Sequence, residues 1–210
     1  MRILYIDTSS SYLYTAIVEN DELLTEIKEE YGQSLSEVAL PRIASMFKDK
    51  NIDPKDIDKI IVVNGPGSFT GIRIGLTIAK VYAWGLNIPI TTIYSLEAMA
   101  ISSNEKKYHV PMINARRGYV FSAIYDDQFN EILKPQHIQL VDLQDKLKDI
   151  DNYEIISNDE FEDIETTSYD PDLLKVVEYF KDKEPINPHA VNPEYLKLTE
   201  AEESKLWFMN

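Results

Sequence analysis

The residues with the most chemistry to offer are Gly65-Pro66-Gly67-Ser68-Phe69-Thr70-Gly71-Ile72-Arg73-Ile74-Gly75, entered from the run Ile61-Val62-Val63-Asn64. A buried strand that turns on glycine and proline, passes helix-capping hydroxyls and enters a helix reads first as a phosphate loop. The details do not fit one. A Walker loop needs a Lys-Ser/Thr pair after its last glycine, and Gly71 is followed by Ile72-Arg73. A dinucleotide fingerprint needs a third glycine where Thr70 stands, then an acid about 20 residues on for the ribose. No acidic residue occurs between Asp58 and Glu97.

A second candidate is Asp7-Thr8-Ser9-Ser10-Ser11, after the first strand-like run. Actin-like and sugar-kinase-like ATPases hold phosphate there on the backbone amides of an Asp-x-Gly-Thr/Ser turn. Ser9 stands at the glycine position and hinders that approach, so Asp7, Thr8 and Ser9 read as a degenerate phosphate turn. Those ATPases also need a later glycine-rich turn for adenosine, and none of the seven glycines follows Gly118. No nucleotide or other cofactor is therefore expected to be bound by this chain alone.

Metal and nucleophile chemistry lack parts. His109, His137 and His189 are far apart, without a His-x-x-x-His pair, and there is no cysteine. No serine flanked by glycine has a histidine near it. The acidic cluster Asp159 to Glu165 has no central glycine for a calcium loop and reads as a solvated face. No catalytic residue and no metal ligand is expected.

The elements that must position these residues can be traced along the chain. Arg2 to Ile6, Tyr12 to Glu19 and Glu22 to Glu29 read as three strands joined by tight polar turns. Ser34 to Lys50 reads as an amphipathic helix, Lys59 to Asn64 as a buried parallel strand, Pro89 to Tyr94 as another strand, and Ser95 to Ala100 as a helix. Three strands, helix, strand, helix, strand, helix is the ribonuclease H-like arrangement, an α/β fold. A soft boundary at Ser102 to Lys107 divides an N-terminal lobe, 1–104, from a reduced acidic lobe, 105–210. In the latter, Val110 to Asn114 and Tyr119 to Tyr125 read as strands, and Leu140 to Lys148 and Pro171 to Lys181 as helical.

The helix after the glycine loop, Thr70 to Leu86, is unusual. Gly71, Gly75, Ala79 and Ala83 form one ridge of small residues, and almost everything else is apolar. Such a helix is buried on two sides, by layers of its own protein or by a partner. Interior glycines cost ~1 kcal/mol each relative to alanine, which favours a packing reason. The expected partner interface is Gly71, Ile72, Gly75, Leu76, Ile78, Ala79, Tyr82 and Ala83.

Net charge is −15 over 210 residues, weighted to the second half. Like charge opposes encounter with phosphate backbones, so tight nucleic-acid binding without help is not expected. No signal-peptide pattern or membrane-length apolar run is visible, and a cytoplasmic protein is expected.

Met1-Arg2-Ile3-Leu4-Tyr5-Ile6-Asp7-Thr8-Ser9, the Gly65 to Gly75 block, Ile113-Asn114-Ala115-Arg116-Arg117-Gly118-Tyr119-Val120 and Pro193-Glu194-Tyr195-Leu196 together resemble the TsaB (YeaZ) family, in order and along nearly the whole chain. The resemblance implies an actin-like ATPase fold with a reduced second lobe. It implies a non-catalytic subunit in bacterial synthesis of threonylcarbamoyladenosine at position 37 of tRNA. Its partners would be the catalytic paralogue TsaD and the ATPase TsaE; a homodimer in isolation is expected from the apolar helix Thr70 to Leu86. Two positions depart from the family pattern: Leu35 precedes a segment that often begins with histidine, and Asn114 stands where many members carry aspartate. The competing readings are a small ATPase or phosphotransferase using Asp7, and a peptidase acting on its partner.

Overall fold

A computed structural model describes residues 1–103 and 106–197. Strands β1 (Arg2–Asp7), β2 (Tyr12–Glu19) and β3 (Glu22–Glu30) form an antiparallel meander, and β4 (Lys59–Val63) and β5 (Ile90–Ile93) extend it in parallel, in the order β3-β2-β1-β4-β5. Helix α1 (Leu35–Asp49) joins β3 to β4, α2 (Phe69–Leu86) joins β4 to β5, and α3 (Ser95–Ser102) follows β5. This is the ribonuclease H-like α/β arrangement expected from the sequence.

Alternation along β1 explains why helices cover both faces of the sheet. Leu4 and Ile6 pack with Ala39 and Ile43 of α1 and with Ile72, Leu76 and Ala79 of α2. Ile3 and Tyr5 point the other way, toward Ala98 and Ile101 of α3. The β2–β3 turn places Asn20 and Asp21 at left-handed φ values of 50° and 67°, as a two-residue hairpin requires.

The second sheet contains β6 (Tyr108–Arg116), β7 (Tyr119–Asp126), β8 (Glu131–Gln139) and β9 (Tyr153–Ile156), in the order β8-β7-β6-β9. Helix α4 (Leu140–Leu147) leads from β8 to β9, which runs parallel to β6. Its connectivity repeats that of β1 to β4, a duplication with no trace in sequence periodicity. Sequence reading did not find β8 or β9. Pro135 masks β8, and it is tolerated because β8 is an edge strand. At four residues, β9 is too short to show a pattern.

Helix α5 (Leu173–Phe180) requires a correction to the two-lobe division. Leu173, Val176, Val177 and Phe180 recur at helical spacing and pack with Ile3, Tyr5, Ala16 and Val18 of the first sheet. The chain thus returns to the first lobe after β9, because the free face of that sheet needs a second helix to cover it. The expected boundary at Asn104 and Glu105, and the chain from Leu198 to Asn210, lie outside the described residues. Among the described residues no helix is long and apolar enough to cross a membrane.

Candidate partner face and interlobe cleft

Strand β1 ends in a turn that the glycine loop grips. Asp7 is buried, and its Oδ1 accepts from the Ser9 backbone N–H at 2.8 Å. Burial holds the Asp7 carboxyl above the usual carboxylate range, against the lowering effect of the Ser9 hydrogen bonds and the Tyr5 hydroxyl. The Ser9 carbonyl accepts from the Ser68 N–H at 2.6 Å, and the Thr8 hydroxyl donates to the Gly71 carbonyl at 2.7 Å. A Cβ on Gly67, where φ is +149°, would stand 2.2 Å from the Ser9 carbonyl oxygen; one on Gly71 would stand 2.0 Å from that of Thr8. Backbone occupies the side-chain space. The glycines therefore serve the close approach of two segments of this chain, and Ser68 Oγ caps α2 by accepting from Gly71 N–H at 3.2 Å.

The same geometry corrects the expected partner interface. Gly71, Ile72, Gly75, Leu76, Ile78, Ala79 and Ala83 are buried within the first lobe, and a Cβ on Gly75 would lie 2.3 Å from Thr8 Oγ1. Tyr82 is half-buried, with its ring 5.9 Å from that of Phe47. The backbone that the small ridge admits belongs to β1 and its turn.

What α2 offers outward is the opposite side. Phe69, Val81 and Trp84 are 56%, 64% and 70% exposed, and Thr70, Arg73 and Thr77 lie in the same stripe. The Arg73 guanidinium carbon sits 3.7 Å from the centre of the Phe69 ring, and its Nε donates to the Tyr195 hydroxyl at 2.9 Å. Tyr195 stacks on Phe69 at 5.1 Å, Lys80 Nζ donates to the Val191 carbonyl at 2.9 Å, and Trp84 meets His189 edge-on at 6.3 Å. The segment 189–195 thus borders this face. On α1, which packs beside α2, Leu40 is 50% exposed. Sequence reading marked Arg73, Thr77 and Lys80 as a narrow polar stripe but did not place Phe69, Val81 and Trp84 outward, since in an all-round apolar helix composition does not say which apolar side faces out. The available signal was that Arg73 and Thr77 lie opposite the small ridge.

Between the two sheets lies a cleft of about 1240 Å³, lined among others by Asp7, Tyr14, Ser68, Arg116, Asp159 and Tyr169. Lys28, its one lysine among the described residues, faces Asp170 at 3.4 Å. On the far wall Asn158 Oδ1 accepts from Ser168 Oγ at 3.0 Å and from Tyr169 N–H at 2.8 Å, so that turn satisfies itself. Asn114 donates its N–H to Asp159 Oδ2 at 2.7 Å, and Leu35 is a core residue. The three histidines are dispersed: His109 lies against Glu154 at 2.9 Å, His137 stacks on Tyr119 at 4.6 Å, and His189 is beside Trp84. Among the described residues no group of three His, Cys, Asp or Glu side chains could hold a metal ion.

Residues 23–169 match the family model described as "TsaD: tRNA N6-adenosine threonylcarbamoyltransferase". The chain is 32% identical to the tRNA threonylcarbamoyladenosine biosynthesis protein TsaB of Bacillus subtilis, over 96% of each chain. It is 31% identical to the Escherichia coli protein of that name, over 67% of this chain and 62% of that one. A crystal structure of a Pseudomonas aeruginosa protein with similarity to peptidase YeaZ superposes with a TM-score of 0.76 at 18% identity, covering 93% of this chain and 99% of that one. YeaZ from the same organism superposes with a TM-score of 0.71 at 18% identity, covering 92% and 100%. These two likenesses establish a shared fold.

Proposed function

The chain belongs to the TsaB (YeaZ) family, and from that premise we propose that it is a non-catalytic subunit required for threonylcarbamoyladenosine synthesis at position 37 of tRNA. It works in the cytoplasm by pairing with the catalytic paralogue TsaD and the ATPase TsaE, and it forms a homodimer when alone. The observation that carries this reading is the outward face of α2. Three large apolar side chains, Phe69, Val81 and Trp84, stand more than half exposed along one helix. Covering the exposed part of each contributes about 1–2 kcal/mol, and an aromatic and apolar patch of this kind is what partner interfaces use.

The pairing reading is also supported by what the glycine loop does. A loop of phosphate-site composition is filled by the Thr8-Ser9 turn of the same chain, which favours a scaffold over a nucleotide enzyme. A net charge of −15 leaves tRNA to be held chiefly by a basic partner. Affinity purification of the full chain from a native bacterial extract tests the assignment. TsaD and TsaE should be recovered with the wild-type chain and lost with Trp84→Asp, and recovery of neither with the wild type would refute the pairing.

A further inference from the structure

The β6–β7 hairpin spends backbone conformational energy to display two arginines. Arg116 and Arg117 have φ values of 67° and 53°, followed by Gly118 at 77°. Left-handed backbone favours glycine and asparagine and is strained for other residues. The hairpin is well held: Asn114 Oδ1 accepts from the Arg116 N–H at 2.8 Å, and the Gly118 carbonyl accepts from the Leu140 N–H at 2.9 Å. The turn geometry thus calls for residue types other than arginine, so the side chains are the reason for arginine.

Those side chains are exposed, and among the described residues neither makes an ion pair. The other three arginines are engaged: Arg2 with Glu19, Arg42 with Glu29, and Arg73 on Phe69. In a chain with 36 acidic residues, two consecutive exposed arginines with no ion pair among the described residues offer a local site for an external anion. Beside them runs a stack of rings. Tyr119 lies parallel to His137 at 4.6 Å and 7°, and His137 meets Phe121 at 5.3 Å. Tyr119, next to the tip, is half-exposed. Two exposed arginines adjacent in sequence, the first opposite Tyr119 in the hairpin register, offer the elements that bind RNA: guanidinium for phosphate and a ring for a base.

We propose that the hairpin 115–119 is an RNA contact: Arg116 and Arg117 hold backbone phosphates of the tRNA being processed, and Tyr119 offers its ring to a base. This assignment of tRNA rests on the function proposed above. The contact is local and weak by itself, because the rest of the chain repels RNA; it acts once the tRNA is held by the assembled complex.

The test is the double substitution R116N/R117N in the full chain, assembled with its catalytic paralogue and titrated with unmodified tRNA transcript at several salt concentrations. Asparagine suits left-handed backbone, so the melting temperature should stay level or rise. Affinity should fall about tenfold near 0.1 M salt, and the slope of log affinity against log salt should flatten by about two. Unchanged affinity and slope overturn the proposal while leaving the functional reading intact. A variant that no longer joins the paralogue overturns it in favour of a protein partner for the arginines, and a lowered melting temperature with unchanged binding overturns it in favour of a structural role. Failure of the functional reading has a separate signature, unchanged threonylcarbamoyladenosine in cells depleted of the chain, and that result removes the tRNA assignment too.

Discussion

The Thr8 carbonyl oxygen and Gly71 are locked together: a Cβ on Gly71 would stand 2.0 Å from that oxygen, while the Thr8 hydroxyl donates to the Gly71 carbonyl at 2.7 Å. This one contact ties the end of β1 to the first turn of α2. It thereby fixes which side of α2 is buried inside the chain and which faces outward.

Gly71→Ala should therefore destabilise the protein by about 3 kcal/mol, since backbone must shift to admit a methyl group. Gly85 lies in the same helix with nothing within 4 Å of a built Cβ. Gly85→Ala should stabilise by about 0.5–1 kcal/mol from helix propensity alone. Urea unfolding of the two variants checks both signs, and equal effects would deny the locked contact.

Asp7 should weaken the fold at neutral pH. Burial raises its folded pKa above the unfolded value, so the native state binds the proton more readily and stability is lost as pH rises through the folded pKa. Asp7→Asn keeps an oxygen for the Ser9 N–H and carries no charge. Its stability gain over wild type should be present at pH 7 and shrink toward zero below the ordinary carboxylate range, as measured by urea unfolding across pH. A gain that persists at low pH would point to another cause.

The two sides of α2 should respond in opposite ways. Val81→Glu or Trp84→Asp changes an exposed position, so monomer stability should move by less than about 0.5 kcal/mol while self-association and paralogue binding are lost. Gly75→Arg drives a charged side chain into Thr8 and Ile6 and should prevent folding. Light scattering joined to thermal melting separates loss of pairing from loss of fold.

Much of this architecture was legible in the sequence. The unbroken apolar run 60–63 within β4 announced a strand buried on both faces, and Ser68 announced the start of α2. The site was legible in position but not in use. Gly71, Gly75, Ala79 and Ala83 do mark a close approach, yet spacing along a helix cannot say whether the approaching backbone is in the same chain. The return of α5 to the first sheet was hidden for a related reason, since Val176 and Val177 would suit any apolar surface. Nor did sequence spacing show that Arg116 and Arg117 would both take left-handed backbone.

Isothermal calorimetry of the full chain with ATP and magnesium should show no tight binding. The Ser9 amide that would face a phosphate is committed to Asp7 at 2.8 Å. A dissociation constant in the low micromolar range, about 8 kcal/mol of binding, would promote the ATPase alternative over the scaffold.

The proposed support of tRNA modification by this chain acts through the exposed face of α2. It is tested most directly by nucleoside mass spectrometry of tRNA from cells depleted of the protein and supplied with either the wild-type chain or Trp84→Asp. Threonylcarbamoyladenosine should disappear on depletion, return with the wild type and stay absent with the variant. Unchanged modification after depletion, or full recovery with Trp84→Asp, would contradict the account.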